Sequence, residues 1–508
     1  MPKLPPFALM NEPQPRKARP QYLLVFLLFF AIPLFLSHLH LLSLPYFWDE
    51  LGQFVPSALD LLRSGALVAH TAIPNVHPPA VAAYLALCYK VFGFSVPVTR
   101  VAMLVVAAFG LLLTFLLAIE LSQGATGAPA FFPPIFLLIS PLFYTQSMLA
   151  QLDMPAMVFT LLGLLLFAKR KYFWAMAACV ILVWVKETGI VAPFVFFCVL
   201  AFRKQWGRAA LFVLPALALA GWLVVLHAQT GYWLGDAEFA RYNVSYALHP
   251  VRMAIGLARR AFYLFFAEFR WIGTLVVIAT VAKCKAFRRR SWAVVAVVGT
   301  LTTVLVAVFG GAELERYLLP VLPLFYIAVS VALTELKRPV ALGAAAIMIA
   351  GLGLFVVWNP PYPFPFENNY AMVDFVRLQQ TAATFAENNL RDRRIATAWP
   401  YTAGLRNADW GFVQRGMKAI ETNDLRYSSV KALTPESFDT LITYTREWTP
   451  ANGLTEIELV QRFLRHFYQW EPDITREQCQ QLGLQEKISW SIGGQTMAIY
   501  FRKPPHGE

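Results

Sequence analysis

The stretch Gln21–Leu44 reads QYLLVFLLFFAIPLFLSHLHLLSL and runs directly into Pro45-Tyr46-Phe47-Trp48-Asp49-Glu50. Its 24 residues include no Asp, Glu, Lys or Arg. As a helix, an apolar run of that length covers the roughly 30 Å hydrocarbon core of a bilayer. It exceeds the apolar core of a signal peptide and no small-residue cleavage site follows, so it reads as an uncleaved first span behind a Pro-rich cytosolic tail, residues 1–20.

The rest of the chain agrees with a membrane protein. Of 508 residues, 58% are hydrophobic and only 14% are charged, against roughly 25% charged in a soluble domain. The net charge of +13 does not point to nucleic acid, because of where it lies. Residues 1–358 hold 27 Lys/Arg and 13 Asp/Glu, whereas residues 359–508 hold 16 and 17. The basic residues cluster between apolar runs: Arg16, Lys17 and Arg19; Lys169 to Lys171; Arg203, Lys204 and Arg208; Lys283, Lys285 and Arg288 to Arg290; Lys337 and Arg338. Such clusters mark cytoplasmic loops. Cys88, Cys179, Cys198 and Cys284 lie in or beside apolar segments and Cys479 lies in the tail, with no CxxC pair and no disulfide framework.

Further apolar runs fall near 100–120, 131–149, 155–168, 172–190, 190–202, 209–227, 262–282, 291–310, 318–334 and 340–358. With the first run they predict a polytopic α-helical protein of about eleven transmembrane helices over residues 21–358. Pro79 to Gly93 is read as a helix lying at the interface, because if it spanned, the later basic clusters would all move outside. The N-terminus is then cytoplasmic. The large first loop 45–99, the stretches 150–154, 186–189, 228–261 and 311–317, and the tail 359–508 share the opposite face. The tail opens on a Pro-rich linker, Asn359 to Phe366, and reads as an extracytoplasmic α/β domain. Its helices are expected at Met372–Asn388 and Ile457–Trp470, its strands at Arg394–Ala398, Thr440–Thr445 and Thr496–Arg502. The spans show no internal repeat and no glycine-interrupted pair in matching halves, which weighs against a transporter.

Ten of the 13 carboxylates before residue 359 lie on or near the outer face, Glu313 among them, which suggests a site there. Asp49-Glu50 stands just after the first span, where a carboxylate can act as general base on a hydroxyl, or simply be solvated. His77 in Val76-His77-Pro78-Pro79 is oriented by two prolines that hold the chain out of helix, and such a triplet alone is commonly a helix-entry turn. Gln151-Leu152-Asp153-Met154-Pro155 brings a second carboxylate to the surface, where a helix cap is the plainer role. Lys186-Glu187-Thr188-Gly189 and Glu313-Leu314-Glu315-Arg316-Tyr317-Leu318-Leu319-Pro320 each put a cation at head-group depth, suited to phosphate or to snorkelling. On one helix Glu268 and Arg270 would point apart and need separate partners. The outer loop Ala228–Arg260, with Trp233, Asp236, Glu238, Arg241, Tyr242 and the sequon Asn243-Val244-Ser245, is a further candidate for lining a cavity.

In order and spacing these motifs resemble the GT-C glycosyltransferases. The shared features are the acidic pair after the first span, His-Pro-Pro before an interfacial helix, Arg100 opening the second span and Asp-x-Pro after the third. A Lys at the outer end of the fifth span and Arg-Tyr-Leu-x-Pro before a late one complete the set. The likeness covers residues 20–335 and is nearest the bacterial aminoarabinose-to-lipid-A transferases and the dolichyl-phosphate-mannose protein mannosyltransferases. It implies a polyprenyl-phosphate sugar donor, an extracytoplasmic acceptor (lipid, glycan or protein), inversion at the anomeric carbon and a bacterial inner membrane. Asp49 matches the catalytic carboxylate and Asp153 the second acidic position. Donor phosphate or substrate falls to Lys186, Arg316, Tyr317, His77, Arg100 and Glu50. Where the aminoarabinose transferases carry an acidic-basic pair for metal and donor phosphate, this chain has Val76-His77, which leaves a divalent metal ion open as cofactor. Two rival functions fit the same outer-face cations: a ligase or polymerase using a diphosphate-linked donor, and a transporter or flippase of lipid-linked sugar.

Overall fold

A computed structural model describes residues 20–123, 130–309, 311–312, 314–450 and 453–502. The proposed cytosolic tail with Arg16, Lys17 and Arg19, and the candidate Glu313, lie outside the described residues. Among the described residues five helices are long and apolar enough to cross a bilayer unaided: Tyr22–Leu41, Val96–Leu121, Trp206–Thr230, Arg290–Val308 and Arg338–Val357. Five shorter apolar helices, Ala80–Phe92, Asp153–Ala168, Tyr172–Val185, Glu187–Phe202 and Leu322–Leu333, pack beside them. The membrane character expected from composition is present, but full-length spans are fewer than about eleven, because polar turns and prolines cut several apolar runs short. The run 131–149, for example, divides at Ser140 into Phe132–Ile139 and Pro141–Gln146.

The run 262–282 is not one helix either. Pro250–Phe265 and Arg270–Thr280 meet at 85°. Glu268 and Phe269 between them both take left-handed backbone, φ 54° and 64°, uncommon for residues with side chains. This turn corrects the expectation that Glu268 and Arg270 point apart: Arg270 Nη1 donates to Glu268 Oε2 at 2.7 Å, and its Nε to the Tyr263 carbonyl at 2.8 Å.

The loop 45–99 is built rather than slack. Val55–Ser64 is helical and ends at Gly65, φ 73°, a left-handed position suited to glycine. The Asp60 carboxylate then accepts the backbone N–H groups of His70 and Thr71 at 2.7 and 2.8 Å. His77-Pro78-Pro79 leads into Ala80–Phe92, at 13 residues shorter than a bilayer crossing.

Beyond residue 358 lies a five-stranded mixed sheet in the order β2-β1-β3-β5-β4. Its strands are β1 Ile395–Ala398, β2 Ala419–Thr422, β3 Thr440–Tyr444, β4 Leu484–Ile492 and β5 Gln495–Arg502. β1 is parallel to β2 and β3, and β5 is antiparallel to β3 and β4. The helices Ala371–Asn389 and Glu458–Tyr468 and three of the strands stand where the sequence suggests. The sequence reading misses β2, which is only four residues long, and β4, an edge strand whose side chains alternate toward solvent.

The Pro-rich stretch 359–366 is no loose tether. Phe364 and Phe366 are buried, and Phe364 exchanges backbone hydrogen bonds with Trp448 at 3.3 and 3.2 Å. Phe366 stacks on Phe375, which also meets Phe47 and Trp48, so one apolar core runs from the loop 45–99 into the C-terminal part.

Beneath that junction Glu50 and Arg100 form a fully buried ion pair, Arg100 Nη1 to Glu50 Oε1 at 2.5 Å. Arg100 also donates to the carbonyls of Leu44, Pro45 and Met148, while Glu50 accepts the N–H groups of Phe47 and Ala150. The pair thus ties the end of the first span to the second span and to the loop at residue 150. Removing one member strands the other's charge in the core, at a cost of about 3–5 kcal/mol. Glu50→Gln and Arg100→Leu are each expected to lower the thermal unfolding midpoint of detergent-solubilised protein sharply. An unchanged midpoint would show that the pair is not structural.

Candidate active site

Asp49 is presented on a strained turn. Trp48 before it has φ 37°, held by its indole against Phe375 and Trp399 and by its carbonyl, which accepts the N–H groups of Leu51 and Gly52. Gly52 lets the Trp399 indole lie against the backbone, where a Cβ would collide with it. With Glu50 turned inward onto Arg100, Asp49 faces the other way, and Arg316 Nη2 donates to its Oδ2 at 2.5 Å.

Arg316 is buried, and carboxylates from three distant segments surround its guanidinium. Besides Asp49 it pairs with Glu367, Nη1 to Oε2 at 3.0 Å. It also lies 3.2 Å from Asp153 Oδ2 through Nε, an ion pair without hydrogen-bond geometry. Asp153 opens the helix Asp153–Ala168 but its side chain does not cap it. Its Oδ1 accepts from Lys186 Nζ at 2.5 Å, and that ammonium sits 4.1 Å above the Tyr317 ring. Lys186 reaches this place because the helix Tyr172–Val185 ends just before it, in extended backbone.

The sequence reading brings Asp49, Asp153, Lys186, Arg316 and Tyr317 forward, and all five meet here. Glu50 and Arg100 do not join them. Both side chains are sealed below and occupied with each other, so no face is offered to a substrate. His77 stands one residue away from the node: its Nδ1 contacts Glu187 Oε2 at 2.9 Å, and Glu187 follows Lys186 in sequence. Asp236, Glu238 and Arg241 spend their contacts within their own loop, which reaches His77 only through the Phe239 ring.

The sequence reading did not include Glu367, because it follows a stretch taken for a linker. Its turn is pinned by two neighbours: Thr145 Oγ1 donates to the Glu367 carbonyl at 2.6 Å, and Asn368 Nδ2 to Glu315 Oε2 at 2.9 Å. Glu315 in turn is held by Arg259 at 2.5 Å. A carboxylate beside two amides, Glu367-Asn368-Asn369, was the one signal available.

Two clefts lie near this node, with no lining residue in common. One, narrow, is lined by Asp153, Lys186 and Tyr317 at its polar end and by Leu182, Val191 and Val298 along its apolar side. The other holds His77, Asn75 and Ser57 among apolar residues, with Leu152 and Trp222. Among the described residues no group of three or more His, Cys, Asp or Glu side chains is arranged to hold a metal ion. The carboxylates converge on Arg316 instead. The set offers a carboxylate that can accept a proton and two cations that can meet an anion, beside an apolar-walled cleft.

Three carboxylates face two cations in this node, and burial, reinforced by Asp49 and Asp153 and opposed by Arg316, raises the Glu367 pKa to about 7. The folded protein therefore binds a proton at Glu367 over a range where the unfolded chain, at the ordinary 4.5, has lost it. Stability is expected to fall as pH rises from about 4.5 to about 7. Glu367→Gln should flatten that part of the profile in thermal melts, and a slope equal to wild type would refute the assignment.

No known family model matches the chain, and no curated protein matches it. Solved structures do. ArnT from Cupriavidus metallidurans bound to undecaprenyl phosphate aligns with a TM-score of 0.53 at 12% identity, over 95% of this chain and 98% of that one. The apo state of the same protein gives 0.50 at 13% identity, over 94% and 98%. The chain shares the fold of these two structures.

Proposed function

We propose that this chain is an integral-membrane glycosyltransferase that moves a sugar from a polyprenyl-phosphate donor to an acceptor on the non-cytoplasmic face. The observation that carries the reading is the convergence of Asp49, Asp153, Lys186 and Arg316, two of which, Asp153 and Lys186, line an apolar-walled cleft. A lipid phosphate needs cations beside a greasy slot, and an acceptor hydroxyl needs a base. The shared fold with a protein crystallised with undecaprenyl phosphate supports the same class of donor.

In this mechanism the donor phosphate exchanges with carboxylates on Lys186 and Arg316, and the release of Arg316 frees Asp49. Asp49 takes the proton from the acceptor hydroxyl as its oxygen attacks the anomeric carbon. The bond to the phosphate oxygen breaks, and Lys186 and Arg316 stabilise the negative charge left on the lipid phosphate. Asp153 keeps both cations in register. No second carboxylate is assigned as a covalent nucleophile, so the displacement is single-step and inverts the centre. His77, oriented by Glu187 on the second cleft, is assigned to substrate contact there, while Glu50 and Arg100 serve by holding Asp49 in place. The proposed topology keeps about eleven crossings, the shorter helices included, with the N-terminus cytoplasmic and residues 359–508 as an outer domain in a bacterial inner membrane.

The test is transfer from a panel of radiolabelled polyprenyl-phosphate sugars to membrane extracts by the purified protein. Asp49→Asn is expected to lower transfer by about 10²–10⁴-fold, the usual contribution of a general base. Lys186→Met is expected to lower it by about 10²–10³-fold through lost charge stabilisation. Full transfer by the Asp49 variant would sink the mechanism. Lipid-sugar translocation without any transfer would replace the enzyme by a flippase.

A further inference from the structure

Arg316 touches both parts of the chain, and its contact from beyond the last span is Glu367. The three carboxylates around it are not equivalent. Asp153 is shared with Lys186, and Asp49 stands on the strained turn at Trp48. Glu367 is fixed by its backbone to Thr145, and its neighbour Asn368 to Glu315, so the carboxyl group is delivered to Arg316 by a clamped turn. Only one of its oxygens is well used. Oε2 accepts from Arg316 at 3.0 Å and from Gln151 Nε2 at 3.4 Å, whereas Oε1 is buried with no donor. The side-chain oxygens of Gln146 and Gln151 are likewise buried without a donor. Apart from the long contact with Gln151, the carboxyl group depends on Arg316 for its hydrogen bonding, and its unsatisfied buried oxygen costs free energy.

We propose that Glu367 is a positioning residue that holds the Arg316 guanidinium at the node and competes for it with the donor phosphate. The segment after the last span thereby sets how tightly the lipid phosphate is gripped. The inference rests on the donor-phosphate reading of Arg316 given above. It follows from charge and place: a phosphate reaching Arg316 must share or displace Glu367, and the turn that bears Glu367 cannot retreat without breaking its ties to Thr145 and Glu315.

Full-length protein in detergent, titrated with undecaprenyl phosphate and assayed for transfer, tests this. Glu367→Gln removes the competing charge and keeps the shape. It is expected to bind undecaprenyl phosphate about tenfold more tightly, the scale of one charge-assisted hydrogen bond. The donor KM should fall in step while kcat does not rise. Glu367→Asp keeps the charge but draws it back from Arg316. It should shift both constants the same way by a smaller factor, and it serves as the readout if the glutamine variant does not fold. A merely structural role would lower the folded fraction and leave Kd and KM unmoved, and that result, or weaker binding, overturns the proposal. Wild-type protein that binds no lipid phosphate sinks the donor reading and this inference together; wild-type binding with unchanged constants in both variants sinks the inference alone.

Discussion

A guanidinium removed from water at the edge of a membrane has to be met by negative charge, and in this protein the requirement is concentrated at Arg316. Asp49 comes from the end of the first span, Asp153 from the start of a buried helix and Glu367 from beyond the last span. Lys186 adds a second cation through Asp153. Buried charges are tolerated only when paired and hydrogen-bonded, so each of these contacts is also a constraint on where four remote pieces of backbone lie. The site and the packing around it are therefore the same problem solved once.

The adjacent residues Asp49 and Glu50 show how that solution works locally. Two neighbouring carboxylates at one span end look interchangeable, but one is spent on Arg100 and on two backbone N–H groups, and this fixes the turn that aims the other. Strain at Trp48 is sustained by the aromatic contacts with Phe375 and Trp399, both from the C-terminal part. Geometry at the proposed base thus depends on residues more than 300 positions away in sequence.

That dependence changes the meaning of the C-terminal part. Its sheet and helices could belong to any small α/β unit, but its first turn supplies Glu367 and its aromatic residues continue the apolar core of the membrane helices. A device built this way keeps the C-terminal segment and the cleft in register. It also leaves a carboxyl group with a raised pKa facing a cation that the proposed chemistry needs.

Composition, the basic clusters and the uncharged run Gln21–Leu44 were enough to determine a helical membrane protein, because hydrocarbon thickness and charge cost act on any sequence alike. Motif order pointed to the GT-C-like fold and to five residues that do meet, Asp49, Asp153, Lys186, Arg316 and Tyr317. Tertiary structure alone decided three things. Glu50 and Arg100 turn to each other instead of outward, because two charges sealed in one core must pair. Glu268 and Arg270 share a side, because left-handed backbone at Glu268 and Phe269 breaks the helix that would have separated them. Glu367 enters the node, because only folding brings residue 367 back to residue 316 across a turn that, in one dimension, is indistinguishable from a linker. Local pattern fixes which segments are buried; which charges then face one another is settled by the pairing that burial demands.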